Sequence, residues 1–140
     1  MHLSLHLRFK TFAFENIKNE IMTKRIYDLE DRLVVFSGNV ILFSKSLPSD
    51  KAGKHLEDQV VRSSTSTALN YAEVQGAEST KDKIHKLSIT LKELKETRVA
   101  LKILNYVKYG NDEQRNILLK ECNELAAIVA TMIKNNRKKL

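Results

Sequence analysis

The side chains able to do covalent or metal chemistry are few in this sequence and poorly placed for it. His2 and His6 have the i, i+4 spacing that sets two imidazoles on one helix face, but they lie in the opening segment and no His-Glu-x-x-His pattern accompanies them. His55 and His85 stand alone. Cys122 is the only cysteine, so the chain forms no internal disulfide and cannot assemble a thiolate zinc site by itself. Neither a phosphate-cradling glycine loop nor a nucleophile elbow occurs. These residues predict no catalytic centre, no metal and no cofactor, and a reducing, cytoplasmic setting.

Electrostatic chemistry remains. Lys81, Lys95 and Lys102 align along one edge of a predicted helix, and Lys134, Arg137, Lys138 and Lys139 make a basic end to another. Contacts to phosphate need such cations and no motif, so these residues are the candidates for holding RNA or DNA without base readout. The formal net charge of +7 agrees with an acidic partner. Charge sign does not choose among nucleic acid, an acidic protein and an anionic membrane surface, and basic helices are also kept soluble this way.

A second group of polar residues sits where a core is expected. Ser63, Thr67 and Asn70 fall on the seam of the predicted second helix and Arg98 on that of the third, where burial without partners is costly. With the intervening hairpin centred near Glu78, position 98 comes level with 58, and position 62 with 93 to 96, since both helices rise equally per residue. The expected result is a cross-hairpin network of Asp58, Arg62, Glu93, Glu96 and Arg98, with Asn70 on the same polar seam. Its expected role is to fix helix register rather than to react.

The elements that carry these residues are all helical. Ile26, Leu29, Leu33, Phe36, Val40, Phe43 and Leu47 alternate steps of three and four, forming one helical stripe. Pro48 ends it, and Ser49 or Asp50 can cap a second helix over about 51–75, with Leu56, Val60 and Val74 beside the polar seam residues. Gly76 is placed to close that helix in a left-handed conformation, and Ser79 with Asp82 resembles a capping box. The third helix shows Ile84, Leu87, Leu91, Leu94 and Leu101 and stops near Gly110. Asn111 with Gln114 then caps a fourth carrying Leu118, Cys122, Leu125, Val129 and Met132. Short loops between four such helices predict an all-α, antiparallel up-down-up-down bundle.

At 140 residues, with four glycines and one proline, the chain suits a single helical domain. Residues 23–140 form that domain. Residues 1–22 lack the seam periodicity and read as an extension, an upstream start before Met22, or an extra helix from Glu15 onward. No stretch is apolar enough to span a bilayer. Outside the seams, Tyr27, Val34 and Ile41 on the first helix and Ile89, Val99, Ile103 and Tyr106 on the third make two further apolar stripes, which predict burial against other copies of the chain.

The run His55-Leu56-Glu57-Asp58-Gln59-Val60-Val61-Arg62-Ser63-Ser64-Thr65-Ser66, followed by Asn70-Tyr71, Gln75-Gly76-Ala77-Glu78-Ser79, Ile84-His85-Lys86-Leu87 and Glu96-Thr97-Arg98, carries a resemblance. It resembles the bacterial four-helix bundle family of 23S ribosomal RNA intervening-sequence proteins, over about Tyr27 to Lys134. Ser64 stands where that family often has glycine, and Leu69 and Val74 where smaller residues are frequent. The resemblance implies a conical pentameric ring with no established catalysis. A related branch, the accessory proteins of diversity-generating retroelements, implies basic pentamers that bind nucleic acid together with a reverse transcriptase. Three readings stand: an oligomer presenting basic surface to nucleic acid, a structural or protein-interaction ring, and an enzyme whose site forms between subunits.

Overall fold

The structure, a computed structural model, describes Arg8, residues 11–13, 15–16 and 29–140. His2, His6, Met22, the proposed boundary at 22/23, Ile26 and Tyr27 lie outside the described residues. The seam spacing is realised in four long helices: α1 (Leu29–Ser44), α2 (Lys51–Ala72), α3 (Thr80–Val107) and α4 (Asp112–Arg137). Each packs on its neighbour in sequence and α1 also packs on α4, so α1 and α3 stand diagonally across an antiparallel bundle. Among the described residues there is no strand, and no helix is long and apolar enough to cross a membrane.

The core follows from the stripes. Leu33, Phe36, Val40 and Phe43 of α1, Val60 of α2, Leu87, Leu94, Leu101 and Leu104 of α3, and Leu118, Cys122, Leu125 and Val129 of α4 are all at most 1% exposed. Burying one large apolar side chain contributes about 1.5–3 kcal/mol, several times the helix-propensity differences of roughly 0.7 kcal/mol or less among ordinary residues, so the interhelical seams decide the fold. On α3 the buried stripe runs Leu87, Thr90, Leu94, Thr97, Leu101 and Leu104. Ile84, Leu91 and Arg98, seven apart, form a rank at its edge and are only half-buried. Arg98 is therefore not a seam residue. Ile89 is half-buried too, which leaves Val99, Ile103 and Tyr106 as the exposed apolar face of α3.

Local chemistry sets the helix ends. Asp50 caps α2, its Oδ1 accepting from the Gly53 amide at 2.7 Å. Ser79 Oγ accepts from the Asp82 amide at 3.0 Å while Asp82 Oδ2 accepts from the Glu78 amide at 3.1 Å, a reciprocal cap displaced by one residue from the usual box. Asn111 Oδ1 accepts from the Gln114 amide at 2.9 Å to start α4. One expectation is corrected. Gly76 is not left-handed, because α2 ends at Ala72 and a 3-10 turn, Val74–Gly76, then hands the chain to extended Ala77. Among the described residues the left-handed ones are Lys108 (φ 58°) and Gly110 (φ 81°), which close α3.

Candidate nucleic-acid interface

Because α3 and α4 are antiparallel, α3 begins where α4 ends. That end gathers Lys81 with Lys134, Arg137, Lys138 and Lys139, all exposed. None has a carboxylate partner among the described residues. The positive end of the α3 macrodipole there is offset by the negative end of the α4 macrodipole, so the side chains carry the charge. Lys95 and Lys102 lie apart from this cluster, along α3 among Val99, Ile103 and Tyr106. Lys95 also lines an open groove of about 1030 Å³ formed by α2, α3 and α4, where Arg62, Lys92 and Arg137 surround Leu56, Leu91, Val99 and Ile133. Among the described residues, His55 supplies the one aromatic ring on this groove, and no Phe or Tyr lines it to stack on a base. The arrangement offers unneutralised point charges, which suit phosphodiesters.

The polar network is brought together in part. Arg62 reaches both carboxylates expected to face it, with Nη2 2.6 Å from Glu96 Oε2 and Nη1 3.3 Å from Glu93 Oε2. Hydrogen bonding to Arg62 holds the Glu96 carboxyl below the usual carboxylate range, and Glu96 in turn raises the guanidinium. Asp58 is exposed and makes no contact with Arg98, contrary to expectation. The cause is register. Short hydroxyls report it best, and Thr97 Oγ1 donates to Ser63 Oγ at 2.8 Å, a pair symmetric about position 80 rather than 78. The 3-10 turn supplies this shift, which brings position 62 rather than 58 level with Arg98. Asn70 is outside the network, donating to the Ser66 carbonyl of its own helix at 2.8 Å. Thr67 likewise donates to the Ser64 carbonyl, so the polar seam is satisfied mostly by local carbonyls.

Cys122 sits in the core, its Sγ 3.3 Å from the Leu94 carbonyl to which it donates. Burial pushes its pKa from 9.0 up to about 12, with Arg98 opposing. The native thiol therefore keeps its proton where the unfolded chain loses it. This contribution to stability is complete below pH 9 and is lost as pH climbs towards 12. At pH 8, alkylation of Cys122 is expected to run at least about a hundredfold slower in native protein than in guanidinium, because the thiolate forms only after opening. Equal rates, followed by mass spectrometry, would contradict this placement.

Residues 27–131 match the 23S rRNA-intervening sequence protein family. The chain belongs to that family. Its fold is similar to a crystal structure from Bacteroides thetaiotaomicron VPI-5482, described as a protein of unknown function from the S23 ribosomal protein family. The TM-score is 0.70 at 29% identity, covering 76% of this chain and 99% of that one. No curated protein matches the chain.

Two ion clusters of this intervening-sequence protein were not anticipated from its sequence. Arg32 of α1 donates from Nε and Nη2 to Glu121 of α4, at 3.0 and 2.6 Å, and from Nη2 to Glu124 at 2.6 Å, joining helices 89 residues apart in sequence. Arg115, fully buried, binds the turn between α3 and α4. A signal for Arg115 was present: it stands seven residues before Cys122, on the extrapolated seam of α4.

Proposed function

We propose that this intervening-sequence protein is a non-catalytic homo-oligomer, a pentameric ring, that holds RNA or DNA on its basic end without reading bases. The observation that carries the nucleic-acid part is the cluster of Lys81, Lys134, Arg137, Lys138 and Lys139, exposed and unneutralised at one end of the bundle. Functional economy supports this, since structural cations of the same chain, Arg32, Arg62, Lys86 and Arg115, all have carboxylate partners. The exposed apolar faces of α1 (Val34, Ile41) and α3 (Val99, Ile103, Tyr106) support self-association. Rotation about a ring axis along the bundle sets every copy's basic end on the same rim, where weak phosphate contacts add through multivalency.

The test is fluorescence anisotropy with an RNA hairpin and a DNA duplex at increasing salt. Affinity is expected to fall roughly a hundredfold or more between about 50 and 200 mM salt, as released counterions require. Replacing Lys134, Arg137, Lys138 and Lys139 with alanine should flatten the slope, and base sequence should matter little. Absent or salt-insensitive binding would favour a structural ring whose charge serves solubility.

A further inference from the structure

We infer that successive copies pack head to tail, with the α1 face bearing Val34, Gly38 and Ile41 of one copy on the α3 face bearing Val99, Ile103 and Tyr106 of the next. The inference rests on the oligomer reading above and adds which surfaces meet. α1 and α3 are diagonal in the bundle, so their outer faces point away from each other and one copy can use both at once. Val34 is 55% exposed, Val99 52% and Tyr106 88%, so each face carries apolar area that the single chain leaves in water.

Charge decides between like and unlike pairing. The α1 face opens with Glu30, whereas Lys92, Lys95 and Lys102 are interleaved on the α3 face. Pairing α3 with α3 would stack lysines on lysines, whereas pairing α1 with α3 sets the acidic start of α1 against Lys92 and apolar positions of α1 against the others. Height agrees. Ser37 Oγ donates to the Ser64 carbonyl at 2.8 Å, and Ser63 meets Thr97, so position 37 of α1 stands level with about position 96 or 97 of α3. The two helices run parallel. In a closed ring whose axis follows the bundle, residues at equal height meet. Ile41 then falls between Val99 and Ile103, and Glu30 arrives beside Lys92. Gly38 lies between Val34 and Ile41 on this face, and a Cβ there would meet nothing within 4 Å, which leaves room for a helix to approach closely. This pairing assigns Lys95 and Lys102 to the seam between copies and leaves the end cluster for polyanions.

The experiment uses Ile41→Glu and Ile103→Glu in the full chain, with circular dichroism to verify that both fold. Light scattering of each variant alone should give the 16.1 kDa protomer, and a one-to-one mixture should give twice that mass, because only the mixed pair keeps one intact seam. Ile41→Glu persisting as a dimer, or a mixture that stays monomeric, would overturn the pairing. Should either variant not fold, a chain carrying Ile41→Cys and Ile103→Cys should form a covalent ladder on oxidation. Dimers cross-linked from Ile41→Cys alone would overturn the inference. Wild-type protein that is itself a monomer overturns the oligomer reading and this pairing with it, whereas an oligomeric wild type whose variants do not complement overturns the pairing alone.

Discussion

Replacing Arg115 with methionine is expected to remove about 3–5 kcal/mol of folding stability, a large part of the roughly 5–15 kcal/mol a domain possesses. The guanidinium is fully buried at the turn between α3 and α4, and each of its nitrogens has a partner. Nε donates to Asn105 Oδ1 at 3.1 Å, Nη1 to the Tyr109 carbonyl at 2.7 Å and the Gly110 carbonyl at 3.3 Å, and Nη2 pairs with Asp112. The carbonyls exist as orphans because the chain leaves α3 through left-handed Lys108 and Gly110, so no further helical turn can donate to them. Methionine fills the volume but strands these acceptors in the interior. Lysine keeps the charge and loses the planar fork, and should recover only part of the loss. Thermal unfolding at a fixed protein concentration is the measurement, since self-association makes the midpoint concentration-dependent. A midpoint within a degree or two of wild type would show that the turn does not depend on Arg115. The basic rim is at the opposite end, so polyanion affinity of the folded variant should be unchanged.

Much of this molecule could be read before its coordinates. Apolar steps of three and four mark α1 and α4 because a helix turns every 3.6 residues, and Asp50, Ser79 and Asn111 mark helix starts because a short side-chain acceptor there satisfies an orphan amide. What escaped depends on geometry accumulated over many residues. The Val74–Gly76 turn moved the α2–α3 register by about one helical turn at Arg98, enough to separate it from Asp58. Whether Leu91 or Thr90 faces inward turns on about 100° of rotation, which a hydrophobicity pattern with several leucines on both faces does not fix. Arg32 and Glu121 meet only because α4 returns to α1, a non-local pairing with no local trace. The cations of the candidate interface were visible as residues, but only the antiparallel arrangement of α3 and α4 separates the end cluster from Lys95 and Lys102.

The second large effect is expected from the smallest substitution. Gly53→Ala should cost about 3 kcal/mol or more, although it adds one methyl group to a helix and would ordinarily stabilise it by about 0.5–1 kcal/mol. Gly53 lies in the first turn of α2, folded against the loop that follows α1. A Cβ there would stand 2.0 Å from the Pro48 carbonyl oxygen, 2.9 Å from its carbon and 3.0 Å from Asp50 Oδ1. The obstacle is backbone, which cannot swing aside as a side chain could. The Gly53 amide is also the donor to Asp50, so moving Gly53 away from Pro48 stretches the cap that starts α2. Asp50 is tied in turn to the other turn at this end, accepting from the Tyr109 hydroxyl at 3.0 Å. Displacement at Gly53 therefore loosens two interhelical connections together. Gly76→Ala is the matched control, because a Cβ there meets nothing within 4 Å and its φ is not left-handed, so its effect should lie within about 0.5 kcal/mol. Urea unfolding of the two variants side by side measures the difference. Equal midpoints would mean that Pro48 and α2 separate at little cost, and that the α1–α2 connection is held by the core rather than by its cap.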